Sequence, residues 1–279
     1  MRKYLFQQYW MFFYNMNRII EFLLKSNFSL ALNAALLTIS FAQDIQYSFY
    51  WGLLVYFSVF ALYGTHRLIK CKFGQLDNEW GSWYNENKYI LFPLVIIHAL
   101  GASYLLLFWF HIKWNSSLLL VILLTSWYLI PYSKATIRRI PFIKAFIVAF
   151  VWTYILIIFP HQLSVSYPSE LSFSVGFFFY FLHLAILSDI KDTHLDPLEW
   201  KTFPSVLGIN RSKIVSILFA IVAFMFFIFS TVVPDSNWVI IVFYFIFWYF
   251  IERKTENSNF SYDKLFWVLT IIFFMIQLS

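Results

Sequence analysis

Residues 89–110 read YILFPLVIIHALGASYLLLFWF, with no Asp, Glu, Lys or Arg among them. About 17–25 apolar residues carry a helix across the hydrocarbon core of a bilayer. Inside lipid every backbone polar group must be satisfied within the segment, so such a stretch is predicted to be a helix. Working outward, eight further segments read the same way: 28–43, 50–67, 115–132, 141–160, 171–189, 213–233, 236–251 and 264–278. The whole chain agrees, being 61% hydrophobic and 12% charged, where soluble domains average about 45–50% and about 25%. A water-soluble body must cover itself with polar atoms, and this chain has too few. Its aromatics are dominated by Phe, which suits a lipid face, while Trp and Tyr suit the interfaces.

The connections alternate in charge. Residues 1–27, 67–88, 132–144, 190–213 and 252–264 hold 19 of the 20 Lys and Arg residues. Residues 44–49, 111–114, 161–170 and 234–235 hold only Lys113. The positive-inside rule places the first set in the cytoplasm. The N-terminus is then inside and the C-terminus outside, which requires an odd number of spans, and nine satisfies it. The net charge of +6 is accounted for by this placement, so nucleic acid is not expected as a partner. The expected location is the inner (cytoplasmic) membrane, with membrane lipid as the surrounding partner.

Residues 1–27 combine Trp10, Phe12, Phe13, Tyr14, Arg18 and Lys25 without a small-residue cleavage site. They are expected to form an interfacial segment, followed by one membrane domain over 28–279. Cys71 is the single cysteine, which excludes an intrachain disulfide and a cysteine metal cluster.

The chemistry-bearing stretch is Leu187-Ser188-Asp189-Ile190-Lys191-Asp192-Thr193-His194-Leu195-Asp196. Its aspartates stand at i, i+3 and i+7, which share one face of a helix. Three carboxylates on one face repel unless a cation lies among them, and oxygen ligands suit a hard ion such as Mg²⁺. Acidic residues where a span meets the cytoplasm point to a functional site. The bland alternative is a solvated, acidic helix end.

That run continues as Pro197-Leu198-Glu199-Trp200-Lys201-Thr202-Phe203-Pro204-Ser205-Val206-Leu207-Gly208. It resembles the second aspartate motif of the UbiA-type intramembrane prenyltransferase superfamily. Tyr132-Ser133, followed by Lys134, Arg138 and Arg139, is similar to that family's Tyr-Ser/Thr with trailing basic residues. The resemblance implies nine helices around a central cavity. It implies an isoprenyl diphosphate held through Mg²⁺ on Asp189, Asp192 and Asp196, and an isoprenyl group transferred to a lipophilic acceptor. Lys134, Arg138, Arg139 and Lys201 would bind the diphosphate, and Tyr132 would face the cavity. Cations neutralise a leaving diphosphate, and an aromatic cavity shields a carbocation from water.

One departure from that family's pattern stands out. Its first motif, at the inner end of span two, offers asparagine and aspartates; here the stretch reads Ala61-Leu62-Tyr63-Gly64-Thr65-His66-Arg67-Leu68-Ile69-Lys70. Tyr63, His66 and Lys70 repeat the i, i+3, i+7 spacing of the aspartates. His66, Arg67 and Lys70 are expected either to contact phosphate directly or to pair with the aspartates; as a third possibility, Arg67 and Lys70 are ordinary interfacial anchors. His183, two turns before Asp189, is expected to face the cavity, and Trp80, Trp83 and Tyr84 to cover it from the loop 67–88. Two readings follow. One is a Mg²⁺-dependent prenyltransferase; the other is a divergent non-catalytic relative that binds a lipid or diphosphate or acts as a membrane scaffold. A transporter is disfavoured because the acidic cluster lies at one surface rather than at midplane.

Overall fold

The computed structural model describes residues 21–23, 25–40, 45–74, 76, 78–110, 116–129, 139–160, 171–194 and 200–229. Among these residues helices, joined by short turns, make up nearly all of the structure, and there is no strand. The elements are α1 (Phe28–Ser40), α2 (Ile45–Lys72), α3 (Asn78–Tyr104), α4 (Ser116–Leu129), α5 (Ile143–Thr153), α6 (Leu171–Lys191), α7 (Phe203–Leu207) and α8 (Ile209–Ile228). A π-turn over Leu105–Trp109 prolongs α3, another over Tyr154–Ile158 prolongs α5, and a 3₁₀ turn at Asp192–His194 follows α6. Each of the first seven predicted segments coincides with a helix. Four helices are long and apolar enough to cross a membrane, namely those within Phe49–Lys72, Trp80–Trp109, Leu171–Lys191 and Ile209–Ile228. Three shorter apolar helices accompany them. The predicted segments 236–251 and 264–278, and nearly all of the predicted interfacial segment 1–27, lie outside the described residues.

The long inner loop expected over 67–88 is largely helix. α2 runs on to Lys72, and α3 begins at Asn78. Charge ends an apolar span but not a helix, because Lys and Arg are good helix formers once the backbone bonds are made. Tyr84, placed in that loop by the sequence reading, is buried. Its hydroxyl donates to the Lys25 carbonyl (2.9 Å) and accepts from Asn27 Nδ2 (3.2 Å), fastening the chain before α1 to α3.

The two ends of the bundle differ. At one, Tyr50 stacks on Trp109, Trp51 packs on Phe110 and Phe159, and the Ser117 and Tyr154 hydroxyls lie 2.9 Å apart. At the other, Arg67 covers Trp80, and Lys144 meets Asp189. Helices joined at short connections therefore run antiparallel, and the basic residues of α2, α5 and α6 gather at one end. α3 turns Phe92, Ile97, Leu100 and Phe108 outward, each at least 59% exposed. A soluble monomer rarely presents so continuous an apolar face; a membrane helix does.

Lipid is as apolar as a leucine side chain, so helices here associate through close packing and buried hydrogen bonds. α6 and α8 show both. Gly176 admits the Phe227 ring, and buried His183 sits opposite Ser216, whose Oγ lies 2.8 Å and whose carbonyl oxygen lies 2.9 Å from His183 Nδ1. His183 therefore faces α8 and not the cavity, correcting its expected role: six residues before Asp189 fall short of two full turns, so the side chain points roughly 120° away from the Asp189 face. Replacing it with Leu is expected to cost about 1 kcal/mol, the worth of one buried hydrogen bond. Melting of the detergent-solubilised protein checks this. Ligand titration of the same variant is expected to match wild type, and a loss of binding with unchanged melting would return His183 to the site.

Candidate functional site

A cavity of about 380 Å³ opens at the basic end of the bundle. Such a volume lies in the range of small-molecule sites, about 300–1,000 Å³. Its inner wall is apolar, built by Val59, Leu62 and Tyr63 of α2 and by Val148, Val151 and Trp152 of α5. Its mouth is charged. α2 supplies His66, Arg67 and Lys70; α5 supplies Lys144; the end of α6 supplies Asp189 and Lys191, and the turn beyond it Asp192. Four cations against two carboxylates leave a formal +2 at the mouth, with His66 neutral.

The helical register explains the cluster. Tyr63, His66 and Lys70 fall on one face of α2, so the spacing read from sequence does bring them together. The aspartate series is interrupted. α6 ends at Lys191, and Thr193 Oγ1 donates to the carbonyls of Asp189 (3.0 Å) and Ile190 (2.9 Å). A threonine that captures carbonyls in this way competes with the helical ladder, and the chain tightens into a 3₁₀ turn at Asp192. Asp189 and Asp192 both line the cavity, one on either side of the change from α-helix to 3₁₀ turn.

Asp189 is buried, and Lys144 Nζ lies 2.7 Å from its Oδ1, with the lysine itself mostly covered. The backbone places Lys144 with some effort. Phe142, just before α5, has φ of 65°, in the left-handed region. For a bulky residue that conformation costs on the order of 1–3 kcal/mol and needs over-determining contacts. Here Phe142 N donates to the Lys201 carbonyl (2.8 Å), and its ring packs on Phe203 at 4.5 Å. The segment before α7 is thus strapped to the start of α5. It also carries Trp200, buried, with Lys70 Nζ and Lys144 Nζ each 5.7 Å from its ring. On the other side of the mouth the Arg67 guanidinium lies 4.1 Å from the Trp80 ring, and Trp80 stacks in turn on Tyr84.

Among the residues expected at the site, Tyr63, His66, Arg67, Lys70, Asp189 and Asp192 line one cavity. Arg139 and Lys201 do not: both are exposed and off its wall. Lys201 contributes its backbone carbonyl, because Trp200 and Thr202 on either side turn inward and send it to the surface. Tyr132, Lys134, Arg138 and Asp196 lie outside the described residues. Of the three aromatics expected as a cover, Trp80 reaches the cavity; Trp83 packs on Phe22 and Tyr84. Among the site residues not anticipated from sequence are Lys144 and Lys191 at the mouth and Trp152 on the wall, with Trp200 beside the lysines. The signal for Lys144 was available. It is a lysine inside the predicted span 141–160, and Asp189 is an aspartate inside the predicted span 171–189. Opposite charges in two spans tend to find each other.

The resemblance implies Mg²⁺, and the donor set can be tested against it. Mg²⁺ needs near-octahedral oxygen ligation from one or two carboxylates, waters and phosphates. The described residues hold no cluster of three or more His, Cys, Asp or Glu side chains arranged for a metal. An ammonium already stands 2.7 Å from Asp189. These residues fit a lysine-neutralised carboxylate rather than a metal centre.

Fold and cavity together define a helical membrane protein with a cavity that is apolar inside and cationic at its mouth. No known protein family, curated protein or solved structure matches the chain.

Proposed function

We propose that the chain is an intramembrane prenyltransferase-type protein, which takes an isoprenyl diphosphate into this cavity and passes the isoprenyl group to a lipophilic acceptor. The observation that carries this reading is the polarity of the pocket: an apolar wall of α2 and α5 leads to a mouth ringed by Arg67, Lys70, Lys144 and Lys191. An isoprenyl chain matches the wall and a diphosphate matches the rim. In such a transfer the allylic C–O bond breaks and its electron pair leaves with the diphosphate. The acceptor then forms the new bond and releases a proton. Cations fixed around the diphosphate favour the first step, since they are in place before the charge moves to the leaving group. Aromatic rings such as Trp152 and Tyr63, 6.3 Å apart, keep water from the allylic cation.

In this reading the chain spans the inner membrane nine times, with the cavity mouth and the N-terminus in the cytoplasm. The gathering of basic residues at one end of the bundle supports that orientation. A second reading, a non-catalytic binder or scaffold, is favoured by the Lys144–Asp189 pair, which occupies a carboxylate the family uses for chemistry.

Heating the purified protein with farnesyl or geranylgeranyl diphosphate tests binding. A ligand at a hundred times its Kd adds about 2.7 kcal/mol to apparent stability. The melting temperature is expected to rise with the diphosphates and not with farnesol. An absence of any shift would remove both the transferase and the diphosphate-binder readings. Extraction of labelled prenyl product after incubation with membrane lipid separates turnover from binding.

A further inference from the structure

We infer that the head group is gripped by protein cations alone, with Lys144 standing where a metal would otherwise stand. This rests on the reading of the cavity as an isoprenyl diphosphate site and specifies how that site recognises phosphate. Three observations point to it. Lys144 comes from α5 and Arg67 and Lys70 from α2, so two helices bring positive charge to the mouth. Asp189, buried behind it, holds the ammonium at 2.7 Å. Trp200 lies against both Lys144 and Lys70, 5.7 Å from each, and fixes the two lysines relative to one another.

The chemistry follows. An ammonium in a low-dielectric place keeps its charge when a carboxylate lies beside it. It has three N–H donors, so contact with Asp189 and contact with a phosphate oxygen are compatible. Asp189 then acts as the counter-ion that positions Lys144, not as a metal ligand. The rings of Trp80 and Trp200 hold Arg67, Lys70 and Lys144 at the mouth before any anion arrives, and a cation held over an aromatic face remains able to donate to phosphate. The shared ligand chemistry is a terminal phosphate or diphosphate on a hydrocarbon chain. An isoprenyl diphosphate and an anionic phospholipid such as phosphatidic acid both carry it.

The test is a thermal-shift titration of the full chain in detergent, with excess EDTA or with Mg²⁺. The probes are farnesyl diphosphate, inorganic diphosphate and dioleoyl phosphatidic acid. Farnesyl diphosphate is expected to stabilise the protein in EDTA with an apparent Kd within about threefold of that in Mg²⁺. A strict need for Mg²⁺ overturns the inference while leaving the isoprenyl diphosphate reading standing. Phosphatidic acid binding in EDTA with farnesyl diphosphate inert keeps the cation grip and overturns the isoprenyl reading. No response to any probe ends both.

Lys144→Met removes the grip and risks the fold, so the paired variant Lys144→Met with Asp189→Asn is the one to read. It eliminates both charges of the pair together, so neither is left behind without the other. If it melts near wild type and has lost tenfold or more in affinity, the assignment of Lys144 holds. Wild-type affinity in that folded double variant overturns it. Asp189→Asn alone is expected to weaken binding without creating a Mg²⁺ requirement, and Lys144→Arg to retain most of it.

Discussion

Lys144→Met alone is expected to destabilise the protein by about 3–5 kcal/mol, the usual cost of breaking a buried ion pair by deleting one partner. The cost comes from what remains. Asp189 is only 2% exposed, and without the ammonium its charge is buried without the pair partner that lies 2.7 Å away. Asp189→Asn is expected to cost less, because Lys144 has a longer stem and can lift its head group toward the cavity mouth. The paired substitution should recover much of the loss, since a well-packed neutral pair is often as stable as the ion pair it replaces. A double-mutant cycle on melting free energies reads the difference directly. Simple additivity of the two single costs would show that the 2.7 Å contact contributes little, and would take the positioning role of Asp189 with it.

The same pair shows what a sequence reveals and what it withholds. The apolar runs were legible because a bilayer imposes a minimum length, and the described helices fall where those runs do. The α2 cluster was legible as well. Tyr63, His66 and Lys70 follow helical spacing, and local periodicity is enough to place them on one face. The boundaries were less so. Charge at Arg67 marks the end of an apolar span, whereas α2 continues to Lys72, because a helix requires backbone bonds rather than lipid. Thr193 is harder still. Its hydroxyl turns back onto the Asp189 and Ile190 carbonyls, and nothing in the spacing of the aspartates announces that the helix stops between them. Lys144 and Trp200 belong to a third kind. Their meeting depends on the left-handed turn at Phe142 and its bond to the Lys201 carbonyl, a contact between distant segments that no periodicity records. The charge pattern grouped Lys144 with the other basic residues at one end of the helices without saying what it faces.

Gly64→Leu is expected to damage stability and ligand binding together, through a single contact between α2 and α3. Even a Cβ at Gly64 would lie 2.5 Å from Val95 Cγ2, well inside the normal contact distance between carbon atoms, about 3.5–4.0 Å. Val95 is 8% exposed and β-branched, so in a helix it has one strongly preferred rotamer and little freedom to swing aside. The relief must come from the helices separating. Overpacking of this kind costs about 1–3 kcal/mol for a small addition and more for a large one. The gain in helix propensity on replacing Gly, about 1 kcal/mol, is too small to offset it. The functional consequence follows from position. Gly64 is adjacent to Tyr63 and precedes His66, Arg67 and Lys70 on the same helix, so moving α2 away from α3 parts Arg67 from Trp80, now 4.1 Å apart. Head-group affinity is then expected to fall even though no cation has been removed. Gly64→Ala should show the same effect in weaker form, and adding Val95→Ala should reverse it by deleting the clashing methyl groups. If Gly64→Ala with Val95→Ala melts no higher than Gly64→Ala alone, helix separation at this contact is not what links the packing of α2 to its charged face.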